Sequence, residues 1–137
     1  MILSETEFFR DISSEVMNKI AAISKEEEHP KGTVLFKKDE EAKSLFILKA
    51  GAVNLVIQNG GTLCTSLTES GEVLGWSCMV EGGLYTASGI CAADSKIVRI
   101  DRDKLNEIFD QHRDVGLKIL KRLGAVFSKR LSGAQPF

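Results

Sequence analysis

The residues best placed to do chemistry lie in one run, Gly71-Glu72-Val73-Leu74-Gly75-Trp76-Ser77-Cys78-Met79-Val80-Glu81-Gly82-Gly83-Leu84-Tyr85-Thr86-Ala87-Ser88. Gly75 is free to take a backbone turn that a side chain would resist. The amides after it, together with the hydroxyls of Ser77, Thr86 and Ser88, offer hydrogen-bond donors to an anion, but no positive charge. Trp76 has two readings. It stacks on a ligand ring, or it fills space as core with its N–H satisfied. On residue types alone such a set offers neutral hydrogen-bond donors and an aromatic ring, and no group suited to catalysis.

Other chemistries lack their parts. Two histidines, His29 and His112, stand far apart in the chain, so a histidine-rich metal site is not available. No serine–histidine–aspartate or cysteine–histidine arrangement can be assembled with any specificity, and no Gly-x-x-x-x-Gly-Lys phosphate loop occurs. The expectation is a protein that is not an enzyme and holds no metal. Cys64, Cys78 and Cys91 are three in number and widely spaced, which suits small apolar side chains better than a disulfide framework.

The 137 residues fit one domain, with 43% hydrophobic and 27% charged residues and a net charge of -1. Nothing in that balance draws the chain toward nucleic acid or an anionic membrane. No apolar run approaches a membrane span and no signal peptide is visible, so the cytoplasm is the expected location.

Three kinds of segment must position the run. Residues Glu5–Ser24 read as helix, with Phe8, Phe9, Ile12, Val16, Ile20 and Ile23 on one face and Ser13-Ser14-Glu15 able to cap a second short helix within the stretch. Pro30 and Gly32 then break the pattern. Between 31 and 100, short apolar runs such as Val34–Phe36, Leu45–Leu48 and Val53–Ile57 alternate with glycines. Asn59-Gly60-Gly61 marks a hairpin before Thr62–Leu67. Many short strands at close spacing indicate a sandwich or barrel. Helix returns behind Asp101 or Asp103 as N-cap, runs to about Asp110, and resumes from about Arg113 to Leu131, stopping near Gly133 and Pro136. Strands grouped between segregated helices predict an α+β fold dominated by β.

At about 100° per residue, Leu117, Leu120, Phe127 and Leu131 lie on one stripe of the last helix, and Val115, Ile119, Leu123 and Val126 on the next. This arc spans roughly 200°, wider than a surface helix needs. One half can cover the strands. The other half is expected to meet a second copy through Leu117, Leu120, Gly124, Phe127 and Leu131, whose spacing is that of a coiled coil. The alternative is burial within one subunit, under Phe8 and Phe9. Asp114 interrupts the basic residues of this helix, which therefore read as a solvated face rather than a nucleic-acid surface.

The stretch Gly32–Val56, the Gly71–Ser88 run, Phe8-Phe9-Arg10-Asp11-Ile12-Ser13 and Ile97-Val98-Arg99-Ile100-Asp101-Arg102-Asp103-Lys104-Leu105 together resemble the cyclic-nucleotide-binding domain family over nearly the whole chain. The resemblance implies a jelly-roll β-roll flanked by helices: 1–30 lead-in helices, 31–100 the roll, 101–133 the closing helices. In that family the run reads approximately Phe-Gly-Glu-Leu-Ala-Leu-Leu, then Pro-Arg-Ala-Ala or Pro-Arg-Ala-Ser. A short helix gives its amides to the cyclic phosphate, the arginine grips that phosphate, and the glutamate accepts from the ribose. Here Gly75 matches the glycine, Trp76 replaces the glutamate, Thr86 replaces the arginine, and Ala87-Ser88 match the small residues. Losing both charged readers would cost a cyclic nucleotide about 3–5 kcal/mol.

The ending Leu123–Leu131 resembles the long helix of catabolite-activator-type regulators, which there forms the dimer interface and leads into a DNA-binding domain. The chain is therefore expected to be a stand-alone input domain without its output domain, a dimeric signal-transduction sensor acting through a protein partner. Gly75, Trp76, Ser77, Cys78, Thr86, Ala87 and Ser88 are the candidate pocket for a small effector. The alternatives are a true cyclic AMP or cyclic GMP binder with an atypical pocket, and an interaction module whose pocket is vestigial.

Overall fold

The computed structural model describes residue 6 and residues 8–57, 63–79 and 82–134; for 63, 64, 126, 127 and 130–134 it describes the backbone alone. Ahead of the first described helix, residues 8–11 form a turn. Thr6 Oγ1 accepts from the Phe9 amide at 3.0 Å. Phe8 and Phe9, edge-on with ring centres 5.1 Å apart, are both buried. Asp11, at φ 57°, breaks the chain out of that turn. Ser13 then caps α1 (Ser14–Ile23) by accepting from the Val16 amide, and Val16 and Ile20 are its buried side. Within the stretch read as helix, residues 8–11 are instead a turn, and the second short helix begins behind the Ser13 cap, where the Ser13-Ser14-Glu15 signal put it.

Among the described residues eight strands follow: β1 (Ser24–His29), β2 (Val34–Phe36), β3 (Ser44–Ala50), β4 (Val53–Val56), β5 (Leu63–Leu67), β6 (Val73–Leu74), β7 (Ser88–Cys91) and β8 (Ser95–Asp101). They form two four-stranded sheets, β1-β8-β3-β6 and β2-β7-β4-β5, with antiparallel pairs throughout. The architecture is a jelly roll with helices at both ends, α+β in class and dominated by β. β4 and β5 pair as expected, with Val56 opposite Leu63; the Asn59-Gly60-Gly61 turn itself lies outside the described residues.

β1 occupies a stretch read as lead-in. Its sequence, Ser-Lys-Glu-Glu-Glu-His, contains no apolar residue. The strand is held instead by its full pairing with β8 and by ion pairs on both faces. Lys49 reaches Glu26 at 2.5 Å, and Arg99 Nε reaches Glu27 at 3.1 Å. Charged side chains suit a sheet edge, where they discourage pairing with another chain.

The two sheets meet through aromatic rings. Phe36 of β2 stacks on Tyr85 (4.4 Å between centres) and on Phe46 of β3 (5.3 Å). Gly89 of β7 makes room: a Cβ there would sit 2.6 Å from the Phe36 ring. The Tyr85 hydroxyl donates to the Ser44 carbonyl at 2.9 Å and accepts from the Ser44 amide at 3.2 Å, so its buried oxygen is satisfied.

Asp101 caps α2 (Arg102–Gln111), accepting from the Lys104 amide at 3.0 Å. α3 (Arg113–Ala134) follows at once. Its Val115, Ile119 and Leu123 are buried against the rest of the chain, whereas Leu117 is 55% exposed and Leu120 47% exposed. Gly124 is exposed too, and a Cβ there would touch nothing within 4 Å. The side chains of Phe127 and Leu131 lie outside the described residues. Arg122 donates to the carbonyls of Phe8 (3.2 Å) and Arg10, and Lys118 donates to that of Asp11 at 3.3 Å. These ties bind the helix to the opening turn.

Candidate functional site

The candidate run leaves sheet β1-β8-β3-β6 at β6 and turns at Gly75, whose φ is +71°. Phe46 and Tyr85 crowd the outside of that turn, since a Cβ on Gly75 would lie 2.9 Å from Phe46 Cδ2 and 3.2 Å from Tyr85 Cε1. Glycine therefore serves twice here, in backbone conformation and in closeness of approach. A short 3-10 helix, Trp76–Met79, follows. Within it Ser77 and Cys78 are buried, while Trp76 and Met79 are partly buried against the core. Burial pushes the Cys78 thiol up to about 12, and burial raises Cys91 as well. Both are apolar-like thiols at neutral pH, as read from the sequence; the side chain of Cys64 lies outside the described residues.

The second half of the run goes elsewhere. Thr86 is exposed, Ala87 is half-buried, and Ser88 begins β7. Gly89 and Cys91 point between the sheets, so Ser88 and Ile90 point to the outer face. Ser88 Oγ accepts from the Lys38 amide at 2.9 Å. It lines an open cavity of about 700 Å³ that contains none of Gly75, Trp76, Ser77, Cys78, Thr86 or Ala87. The seven candidates are therefore split. Gly75, Trp76, Ser77 and Cys78 run together at one packed corner, Thr86 is exposed and Ala87 half-buried just ahead of β7, and Ser88 lines the outer cavity.

Neither nearby arginine stands in for the missing charge. Arg99 lies over the Phe46 ring, its Cζ 4.8 Å from the ring centre, with Nε on Glu27. Glu27 also accepts from His29 Nε2 at 2.9 Å. Burial works to raise the Glu27 carboxyl, but the hydrogen bonds from His29 and Arg99 outweigh it and hold the group below its ordinary range. Arg102 donates to the Ala42 carbonyl at 3.1 Å and to Asp103 at 3.1 Å.

The two histidines do not converge. His29 ends β1, and His112, between α2 and α3, meets Lys19 Nζ at 3.0 Å. Among the described residues no group of histidine, cysteine and carboxylate side chains is arranged to hold a metal ion, and no helix is long and apolar enough to cross a membrane. Sequence reasoning missed the outer cavity. Its signal was faint: two lysines on a turn and three β-branched residues, Val34, Ile57 and Ile90, from three separate segments.

Comparison with known proteins places this geometry. The family model of the cyclic nucleotide-binding domain matches residues 26–112. A Geobacter metallireducens protein, described as a candidate cyclic nucleotide-binding protein, is 27% identical over 94% of this chain and 95% of its own, with a TM-score of 0.85. The catabolite activator protein of Thermus thermophilus is 18% identical, with 93% of this chain and 59% of that one covered and a TM-score of 0.73. The regulatory domain of Toxoplasma gondii PKA, solved with cAMP, is 17% identical over 78% of this chain and 41% of its own, with a TM-score of 0.71. The last two share the fold.

Proposed function

This chain belongs to the cyclic nucleotide-binding domain family, a regulatory rather than catalytic family, and we propose that it is a ligand-sensing module whose signal leaves through α2 and α3. One observation carries this reading. α3 is docked by one stripe, Val115, Ile119 and Leu123, and bare on the adjacent one, Leu117 and Leu120. A helix tied on one side and apolar on the other suits a moving output element with a second surface to meet. That surface is a homodimer contact made by Leu117, Leu120 and Gly124, extended by Phe127 and Leu131 at coiled-coil spacing. A further protein partner receives the signal.

The effector is a small molecule, anionic or nucleotide, held at the Gly75–Cys78 corner with Thr86 and Ala87. It is read without the family's arginine and glutamate, because Thr86 and Trp76 stand in those places. Ordinary cyclic nucleotides are therefore weak ligands. Thermal unfolding with and without millimolar cyclic AMP and cyclic GMP tests this. A ligand at 100 times its Kd adds about 2.7 kcal/mol of stability, enough to move the midpoint by several degrees. No such movement is expected with either nucleotide. A clear shift that Trp76→Ala removes would overturn the reading and make this an atypical cyclic-nucleotide binder. Sedimentation of the wild type against Leu117→Ser/Leu120→Ser checks the dimer; equal masses would sink that part.

The burial of Ser77 and Cys78, and the packing of Trp76 against the core, favour a second reading. In it the corner is structural, and the module acts through protein contacts alone. A module of this kind would show no stabilisation by any nucleotide yet would still associate through α3.

A further inference from the structure

The strongest unassigned feature is the outer cavity of sheet β2-β7-β4-β5. Its floor is apolar and unusually bare: Val34 is 45% exposed and Ile57 39% exposed, beside Ile90. Its rim is basic. Lys37 and Lys38 stand on a turn that is fixed in place from several directions. The Lys38 amide donates to Ser88 Oγ at 2.9 Å, the Asp39 amide to the Tyr85 carbonyl at 2.8 Å, and the Glu40 amide to the Lys37 carbonyl at 3.2 Å. Tyr85 in turn donates its amide to the Glu40 carbonyl at 3.0 Å. A rim held this way is preorganised.

The charges on this rim do not cancel. Asp39 pairs with Lys38 at 3.1 Å, while Lys37 has no carboxylate within 4.0 Å among the described residues. One positive charge is thus left over beside an apolar floor. Ser88 already accepts from a backbone amide, which leaves its own O–H to donate. The volume, about 700 Å³, lies within the range of small-molecule sites.

We propose that this cavity binds a small organic monoanion, a carboxylate with an apolar body, its charge on Lys37 and the Ser88 hydroxyl and its body on Val34, Ile57 and Ile90. The site is separate from the Gly75 corner, on the opposite face of β7.

The test is a hexanoate titration of the intact chain, followed through backbone amide NMR shifts. Saturable shifts clustered on Val34, Lys38, Ser88 and Ile90 are expected. Hexanamide, the same body without charge, should bind about tenfold more weakly or worse, the loss expected for one charge-assisted contact. Lys37→Glu should weaken hexanoate by at least about as much, while Lys31→Glu, an equal change in net charge on a lysine outside the cavity, should leave it unchanged. Both lysines are exposed, so neither variant threatens the fold. Equal binding of hexanamide would overturn the proposal in favour of a plain apolar groove. Equal weakening by Lys31→Glu would reduce it to long-range charge. Shifts centred on Leu117 and Leu120, or no saturation at all, would refute it.

Discussion

Two apolar surfaces of this chain meet opposite fates. Between the sheets, Phe36, Phe46 and Tyr85 stack at contact distance, and Gly75 and Gly89 give way so that the rings fit. On α3, Leu117 and Leu120 stand in solvent one step round from a buried stripe. Both surfaces read as apolar in sequence. The roll is complete in one copy, so a change there is felt as lost stability. On the proposal that α3 meets a second copy, a change there should be felt as lost association and little else.

The sharpest way to break that contrast is to overfill the roll. Gly75→Val adds a strained positive φ to a clash with Phe46 and should cost about 2–5 kcal/mol by chemical denaturation. Gly82→Ala is its control. Gly82 has φ +66° but nothing within 4 Å of a Cβ, so only the backbone cost of about 1–2 kcal/mol should appear. If the two variants unfold alike, crowding by Phe46 and Tyr85 is not what makes Gly75 necessary.

A gentler probe keeps the ring and removes its oxygen. Tyr85→Phe leaves the Ser44 amide and carbonyl without their side-chain partner in a buried place, with an expected loss of about 1–3 kcal/mol. Indifference to this change would mean that stacking alone holds the sheets together.

The Glu27 carboxyl, held low by His29 and Arg99, gives the roll an acid limit. A depressed folded-state pKa stabilises above the ordinary carboxylate range, and that contribution is lost as pH falls through and below that range. Glu27→Gln should remove about 1 kcal/mol at pH 7 and flatten this part of the profile. A variant with an unchanged acid slope would assign the slope to other carboxylates.

Smallest in stability is the helix pair. Leu117→Ser/Leu120→Ser should lie within about 0.5 kcal/mol of wild type when the protein is dilute, as exposed positions usually do. Its midpoint should no longer rise with protein concentration. A large loss at all concentrations would place these leucines in the subunit's own core and erase the contrast.

Much of the fold was legible because it is written in side chains. Ser13 and Asp101 cap the helices that their types promised, and Val115, Ile119 and Leu123 separate cleanly from Leu117 and Leu120. β1 was not legible, because its six residues are polar and its stability comes from β8 and from Lys49, Arg99 and Lys96, all distant in sequence. The site was legible only in part. Gly75 and its turn were plain, but the outward direction of Ser88 was not. The phase of β7 is set at Gly89, a buried position with no side chain to reveal which face it occupies. An apolar residue there would have shown the alternation; the Phe36 ring that takes its place belongs to a strand some 50 residues away.

The ties from Arg122 to Phe8 and Arg10 span up to 114 residues, nearly the whole chain. Closing so long a loop carries an entropic cost that only an already ordered roll can offset. They should be the last contacts made in folding and the first to open in the native state. Hydrogen exchange should show this directly, with α3 amides exchanging well before those of β3 and β8. A helix that lets go while the roll stays folded has its own, lower threshold for release, and on the proposal that α3 carries the signal only that smaller free energy is needed to set it free.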